Sequence, residues 1–281
     1  MDFFVGTIEW VEGDTSFLTN IWARGSHVGE AIQRILSAAK LNEIESPVLI
    51  DLEGCEVDDI IEGAVAVDRG NSFIDPREYS FPTQYSYKFP YGVIPVRNAE
   101  HSIDVDAIRP GYETWRDDDG LINVEAVIER EEIFDFYVSL VETLPEIRTF
   151  WLKLQEDWEE FGSEEIYACD ELTTSLEIRD FLRDNWIDTV LNGHVALTTY
   201  TDEGHTNLSI SDHKMVVLLT YDERIAKTVC ASLKHSGLNR HEDMLSVAGG
   251  VHHWHYRHAD GRDRQGLIRL LCDKGFKLWV P

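Results

Sequence analysis

With 281 residues, 43% of them hydrophobic and 11% aromatic, the chain is long enough for one large domain or two ordinary ones, and these values exclude a disordered acidic polymer. Its 52 acidic and 25 basic residues leave a net charge of −27, a field that opposes direct binding to a nucleic-acid backbone. The absence of an eighteen-residue apolar run argues against a membrane span. With no basic-then-apolar leader at the N-terminus, the expectation is a cytoplasmic protein.

In chain order, FFVGTIEW (3–10) reads as a strand and GDTSFLTNIWARG as a turn and second strand. GSHVGEAIQRILSAAKLNE follows as an amphipathic helix, with Ser26 as its predicted N-cap, Glu30 in its first turn and Val28, Ile32, Ile35, Leu36 and Ala39 along one stripe. PVLIDLEG (47–54) then reads as a buried strand. The proline- and tyrosine-rich stretch 73–96 predicts an irregular connector with extended pieces. LINVEAVIEREEIFDFYVSLVETL (121–144) predicts a helix with Ile128, Phe134, Val138 and Val141 on its apolar side. IRTFWLKLQEDWEEFG predicts a strand running into a charged turn, and TTSLEIRDFLRDNWIDTVLNG a helix closed at Asn192-Gly193.

The stretch 194–221 alternates and breaks at DEG and SDHK, as successive antiparallel strands do. DERIAKTVCASLKHSG is an amphipathic helix carrying Ile225, Val229 and Leu233, with His235 in its last turn and Gly237 as its stop. VHHWHYRH (251–258) reads as the strand after it. The predicted fold class is therefore α+β: two strand-strand-helix-strand-like halves with antiparallel sheet, joined by an acidic, mainly helical middle. The expected division is 1–98, an N-terminal α+β part with its connector, and 99–281, the acidic segment with the C-terminal α+β part.

Four of eleven histidines fall within residues 252–258. On a strand, alternation places His253, His255 and Arg257 on one face and His252, Trp254, Tyr256 and His258 on the other. The string from His253 to His258 resembles the HxHxDH signature of metallo-β-lactamase-fold hydrolases. Arg257, however, stands at that family's metal-binding aspartate, where a guanidinium repels a cation, so the family is rejected. A separate metal site would draw on His253, His255, His258 and Asp260, with Asp212 and His213 brought in by folding. The preferred reading is a half-exposed sheet face, with no metal, no cofactor and no catalytic residue. No GxSxG, GxxxxGKS/T or GxGxxG motif occurs, so a nucleophile elbow or phosphate loop has no local support. The cysteines, Cys55, Cys169, Cys230 and Cys272, lie far apart and suit reduced, mostly buried thiols.

Charge is uneven. Residues 100–184 hold 25 acids against 7 bases, whereas residues 224–281 hold 5 against 10. Within the acidic stretch, Trp115 neighbours Asp117, Asp118 and Asp119, and Trp158 sits among Glu156, Asp157, Glu159 and Glu160. Indoles that stack on arginine, beside carboxylates that pair with guanidinium, suit a basic protein surface; these nine residues are the candidate partner-binding set. In this acid–aromatic mixing and its lack of catalytic motifs, the chain resembles the bacterial immunity proteins and antitoxins. The resemblance implies a basic toxin as partner, a nuclease effector of type VI secretion or contact-dependent systems, held without catalysis. A metal-dependent hydrolase and a DNA mimic directed at a DNA-binding protein are the alternatives, and oligomeric state is left open.

Overall fold

A computed structural model of the chain describes residues 2–82, 87–95, 107–158, 163–250 and 253–279. It begins with a long hairpin. Strands β1 (Asp2–Glu12) and β2 (Thr15–Gly25) pair antiparallel from Asp2↔Gly25 to Glu12↔Thr15. Gly13 takes the positive φ of 59° that a two-residue hairpin turn requires. Helix α1 (Val28–Leu41) packs Ile32 and Ile35 on the hairpin, and β3 (Val48–Cys55) returns along the free side of β1. The cap of α1 is His27 rather than Ser26: His27 Nδ1 accepts from the Glu30 amide at 3.2 Å, while Ser26 donates its own N–H and hydroxyl to the Glu30 carboxylate. Strands β4 (Val65–Val67) and β5 (Ser72–Ile74) complete the order β3-β1-β2-β5-β4, and β6 (Tyr79–Pro82) also pairs with β2.

At the end of β5, Asp75 is buried beneath Arg77, accepting from its Nε at 2.9 Å, its Nη2 at 3.0 Å and its backbone N–H at 2.9 Å. These bonds hold the Asp75 carboxyl below the usual carboxylate range. A depressed carboxylate contributes stability above its unfolded pKa and loses it as pH falls through the folded value. Asp75→Asn is therefore expected to cost about 1–2 kcal/mol at neutral pH. The gap from the wild type should close on acidification below about pH 4. A pH-independent gap in urea melts would refute the ionic contribution.

A second sheet of eight strands follows the order β16-β11-β10-β12-β13-β14-β9-β8. Its strands are β8 (Gly111–Arg116), β9 (Ile122–Val127), β10 (Thr149–Leu154), β11 (Glu165–Cys169), β12 (Val195–Thr201), β13 (Thr206–Ile210), β14 (Val216–Thr220) and β16 (Lys277–Leu278). Helices α2 (Ile133–Val141), α3 (Ser175–Asp184), α4 (Glu223–His235) and α5 (Arg264–Asp273) bring Tyr137, Phe181, Val229 and Leu267 into the same core as Phe150, Leu152, Leu197 and Leu218 of the strands.

The α+β class holds, but several expected elements differ. Residues 121–144 are not one helix: Ile122, Val124 and Ala126 alternate inward along β9 before α2 begins. With β8, β10 and β11 the described residues of the acidic middle supply four strands as well as two helices, so they are not mainly helical. Helix α3 opens on a Thr174–Glu177 capping box and stops at Asp184, short of Gly193, with a 3-10 turn at Trp186–Asp188 behind it. Of the cysteines only Cys169 is buried, and Cys272 is exposed. No helix among the described residues is long and apolar enough to cross a membrane.

The stretch 251–258 departs most from expectation. Only β15 (His253–His255) is a strand, residues 251–252 lying outside the described set, and it leaves the large sheet to pair with β7 (Val93–Pro95). This ribbon touches both cores. Ile94 and Tyr256 are buried with α1 and the first sheet, whereas Val93 packs with Met215 and Val127, beside the second. The Gly193 amide donates to the Tyr256 carbonyl at 3.0 Å, and the Tyr256 amide to the Gly92 carbonyl at 2.8 Å. Only glycine suits this crossing: a Cβ on Gly92, whose φ is +84°, would lie 2.2 Å from the Gly193 nitrogen.

Candidate functional site

The ribbon decides where the C-terminal histidines face. Pairing sets His255 opposite Val93 and His253 opposite Pro95, so alternation turns both imidazoles to the Val93 side, towards Met215 and the turn joining β13 to β14. That turn closes through Ser211 N–H to Met215 O at 2.9 Å and Lys214 N–H to Ser211 O at 3.0 Å, with Lys214 at φ 57°. It presents His213. Ring centroids lie 4.7 Å apart for His213–His253, 5.3 Å for His213–His255 and 5.2 Å for His253–His255. One ligand nitrogen from each of the three lies within 4.8 Å of the others, and all three side chains are half-buried.

Neighbours order this group. His213 Nδ1 and Asp212 Oδ1 are 2.9 Å apart, a contact that holds the imidazole beside the carboxylate. Burial pushes the Asp212 carboxyl up, but the bond and charge of His213 outweigh it and hold the group below the usual carboxylate range. Lys214 is buried, donates Nζ–H to the Val195 carbonyl at 2.7 Å, and is pushed down by burial to a pKa of about 7. His194, just before β12, lies 6.1 Å from His255 edge-on and stacks flat under Trp158 at 5.6 Å. His194, His255 and Trp158, with His27, Arg257 and Arg264, line a cleft of about 690 Å³ between α1 and the second sheet.

Of the metal alternative read from sequence, the structure brings together His213, His253, His255 and Asp212 and leaves out the other two. His258 Nδ1 accepts from the Asp260 amide at 3.2 Å, and the Asp260 carboxylate is bound by Lys40 of α1, in a separate network. Arg257 is engaged elsewhere, donating to Gly261 O at 2.7 Å and to Gln33 Oε1 at 3.0 Å. His194 and Lys214 were missed, because a lone histidine before a strand and a lysine in a polar turn carry no spacing signal.

The acid–aromatic set divides. Trp115 on edge strand β8 is 41% exposed, and Asp117, Asp118 and Asp119 in the β8–β9 turn are exposed beside it. Asp117 partly serves the turn, accepting the Leu121 amide at 2.9 Å, and Gly120 takes φ +85°. Trp158 is half-buried: its ring stacks on His194 and packs against the main core, and it also lines the cleft. Glu156 is exposed; Glu159 and Glu160 lie outside the described residues, as does the side chain of Asp157. Among the described residues the basic tail meets the acidic stretch through buried Arg264, 3.1 Å from Glu165, and through Arg240, which donates to the Thr114 carbonyl at 3.3 Å.

The fold is thus an α+β arrangement of two antiparallel sheets stitched by a short ribbon, with imidazoles gathered at the seam. Comparison with protein-family models, curated proteins and solved structures finds no match to this chain.

Proposed function

We propose that this protein is a non-catalytic inhibitor that binds and neutralises a basic protein, a toxin with a nuclease-type basic groove, through the tip of the β8–β9 hairpin. The observation that carries the reading is Trp115, a large exposed indole flanked by three solvated carboxylates on a sheet edge, in a chain of net charge −27. Carboxylates at that tip take the place of nucleic-acid phosphates and speed encounter, while the indole stacks on arginine and slows release. Trp158, first grouped with this surface, does not enter the proposal.

The test is capture of a partner from native lysate at low and high salt, followed by titration of the purified partner. Trp115→Ala is expected to weaken the complex roughly 30-fold, mainly by faster release. Replacing Asp117, Asp118 and Asp119 with asparagine should slow association about tenfold and flatten its salt dependence. Equal affinity for all variants at low salt would remove this hairpin from the interface. A captured DNA-binding regulator in place of a toxin would replace the reading with DNA mimicry.

A further inference from the structure

We propose that His213, His253 and His255 form a site for a transition-metal ion of the zinc class, with Asp212 orienting His213 from behind. Three side chains from two distant segments converge here, each able to place a ligand nitrogen within 4.8 Å of the others. Nitrogens around a tetrahedral zinc ion, bonded at about 2.0–2.1 Å, stand about 3.3 Å apart, so small rotations of the rings close the site.

The chemistry of the set selects the ion. Three imidazoles suit zinc, copper or nickel, and not calcium or magnesium, which take oxygen ligands. The Asp212 carboxylate on His213 Nδ1 leaves the Nε2 lone pair directed away from that bond. Carboxylate–imidazole pairing of this kind orients ligating histidines in zinc proteins and raises their basicity. His253 and His255 are fixed differently, by the register of β15 on β7. Half-buried rings leave an ion a path in. Because His255 also lines the cleft beside α1, a metal held by His255 adjoins open space.

Mutual packing of imidazoles for stability alone is the competing account. It requires no metal affinity and does not need Asp212 to matter for one. The inference is independent of the inhibitor reading, since a metal-free protein that still captures its partner would leave that reading intact.

The test uses the full chain, stripped with a chelator and titrated with Zn²⁺ against a chromophoric competitor, with Co²⁺ as a spectroscopic probe. We expect one equivalent of Zn²⁺ with a dissociation constant on the order of 1 µM or tighter, and a Co²⁺ visible spectrum of tetrahedral intensity. His253→Ala and His255→Ala should each weaken binding at least about 100-fold, and Asp212→Asn about 10–100-fold. His258→Ala, outside the cluster, should leave it unchanged. Should the histidine variants fail to fold by circular dichroism, the wild-type stoichiometry and Asp212→Asn decide. Absence of stoichiometric Zn²⁺ binding by the wild type, or an affinity that survives the paired His253→Ala and His255→Ala changes, overturns the proposal.

Discussion

Phe150→Ala is expected to lower folding stability by about 3–5 kcal/mol, the largest effect anticipated for a single side chain here. Phe150 is fully buried on β10, between β11 and β12. Its ring meets Phe181 of α3 at 6.0 Å and Phe276 at 6.2 Å, both edge-on, and those two rings lie 5.1 Å from each other. Truncation removes the ring's transfer energy and opens a cavity whose walls belong to three different elements, so relaxation from one side cannot fill it. Urea unfolding followed by circular dichroism measures the loss. A cost under about 1 kcal/mol would mean that the three-ring cluster does not form the centre of this core.

Gly193→Ala is the second. A Cβ at Gly193 would lie 1.8 Å from the Gly92 carbonyl oxygen and 2.7 Å from its carbon. Both atoms are backbone, so no side chain can swing aside and the two segments must part. Their separation breaks the bonds through which Tyr256 joins Gly193 to Gly92. We expect about 2–3 kcal/mol of destabilisation from this overpacking. A weakened Zn²⁺ affinity should accompany it, because His194 follows Gly193 and His255 precedes Tyr256 in the chain. Thermal unfolding checks the first effect and zinc titration the second. A melting temperature within about 1 °C of wild type would show that the seam tolerates a methyl group and is looser than its geometry implies.

Local patterning made much of this architecture legible. The β1–β2 hairpin, α1, α4 and the strands β12 to β14 follow from alternation, helical stripes and turn residues, each of which acts within a few positions. Errors arose where two periods abut. The apolar residues of β9 run into those of α2 without a strong breaker, so a single helix accounted for both. The destination of β15 lay beyond such reasoning, since its partner β7 belongs to the connector and the pairing is set by tertiary contacts of Ile94 and Tyr256.

The site was legible in the same uneven way. Alternation correctly placed His253 and His255 on one face, and Asp212 and His213 were the residues that folding was asked to deliver. His258 and Asp260 were misplaced because the strand ends at His255, after which the chain turns towards α1. Trp158 among carboxylates reads as a surface anchor in sequence; its flat stack on His194 is a long-range contact invisible to composition.

The ribbon has a consequence for synthesis on the ribosome. Tyr256 sits in the core of the N-terminal sheet beside Ile94, so that sheet waits for a residue made long after its own strands have emerged. During elongation the slot for Tyr256 stands open, and a nascent chain exposes apolar surface until the last part of the second sheet's connections has left the exit tunnel. Closing so long a loop is slow compared with forming the first hairpin. Truncation before Tyr256 should therefore yield a chain that engages chaperones, even with every strand of the first sheet present.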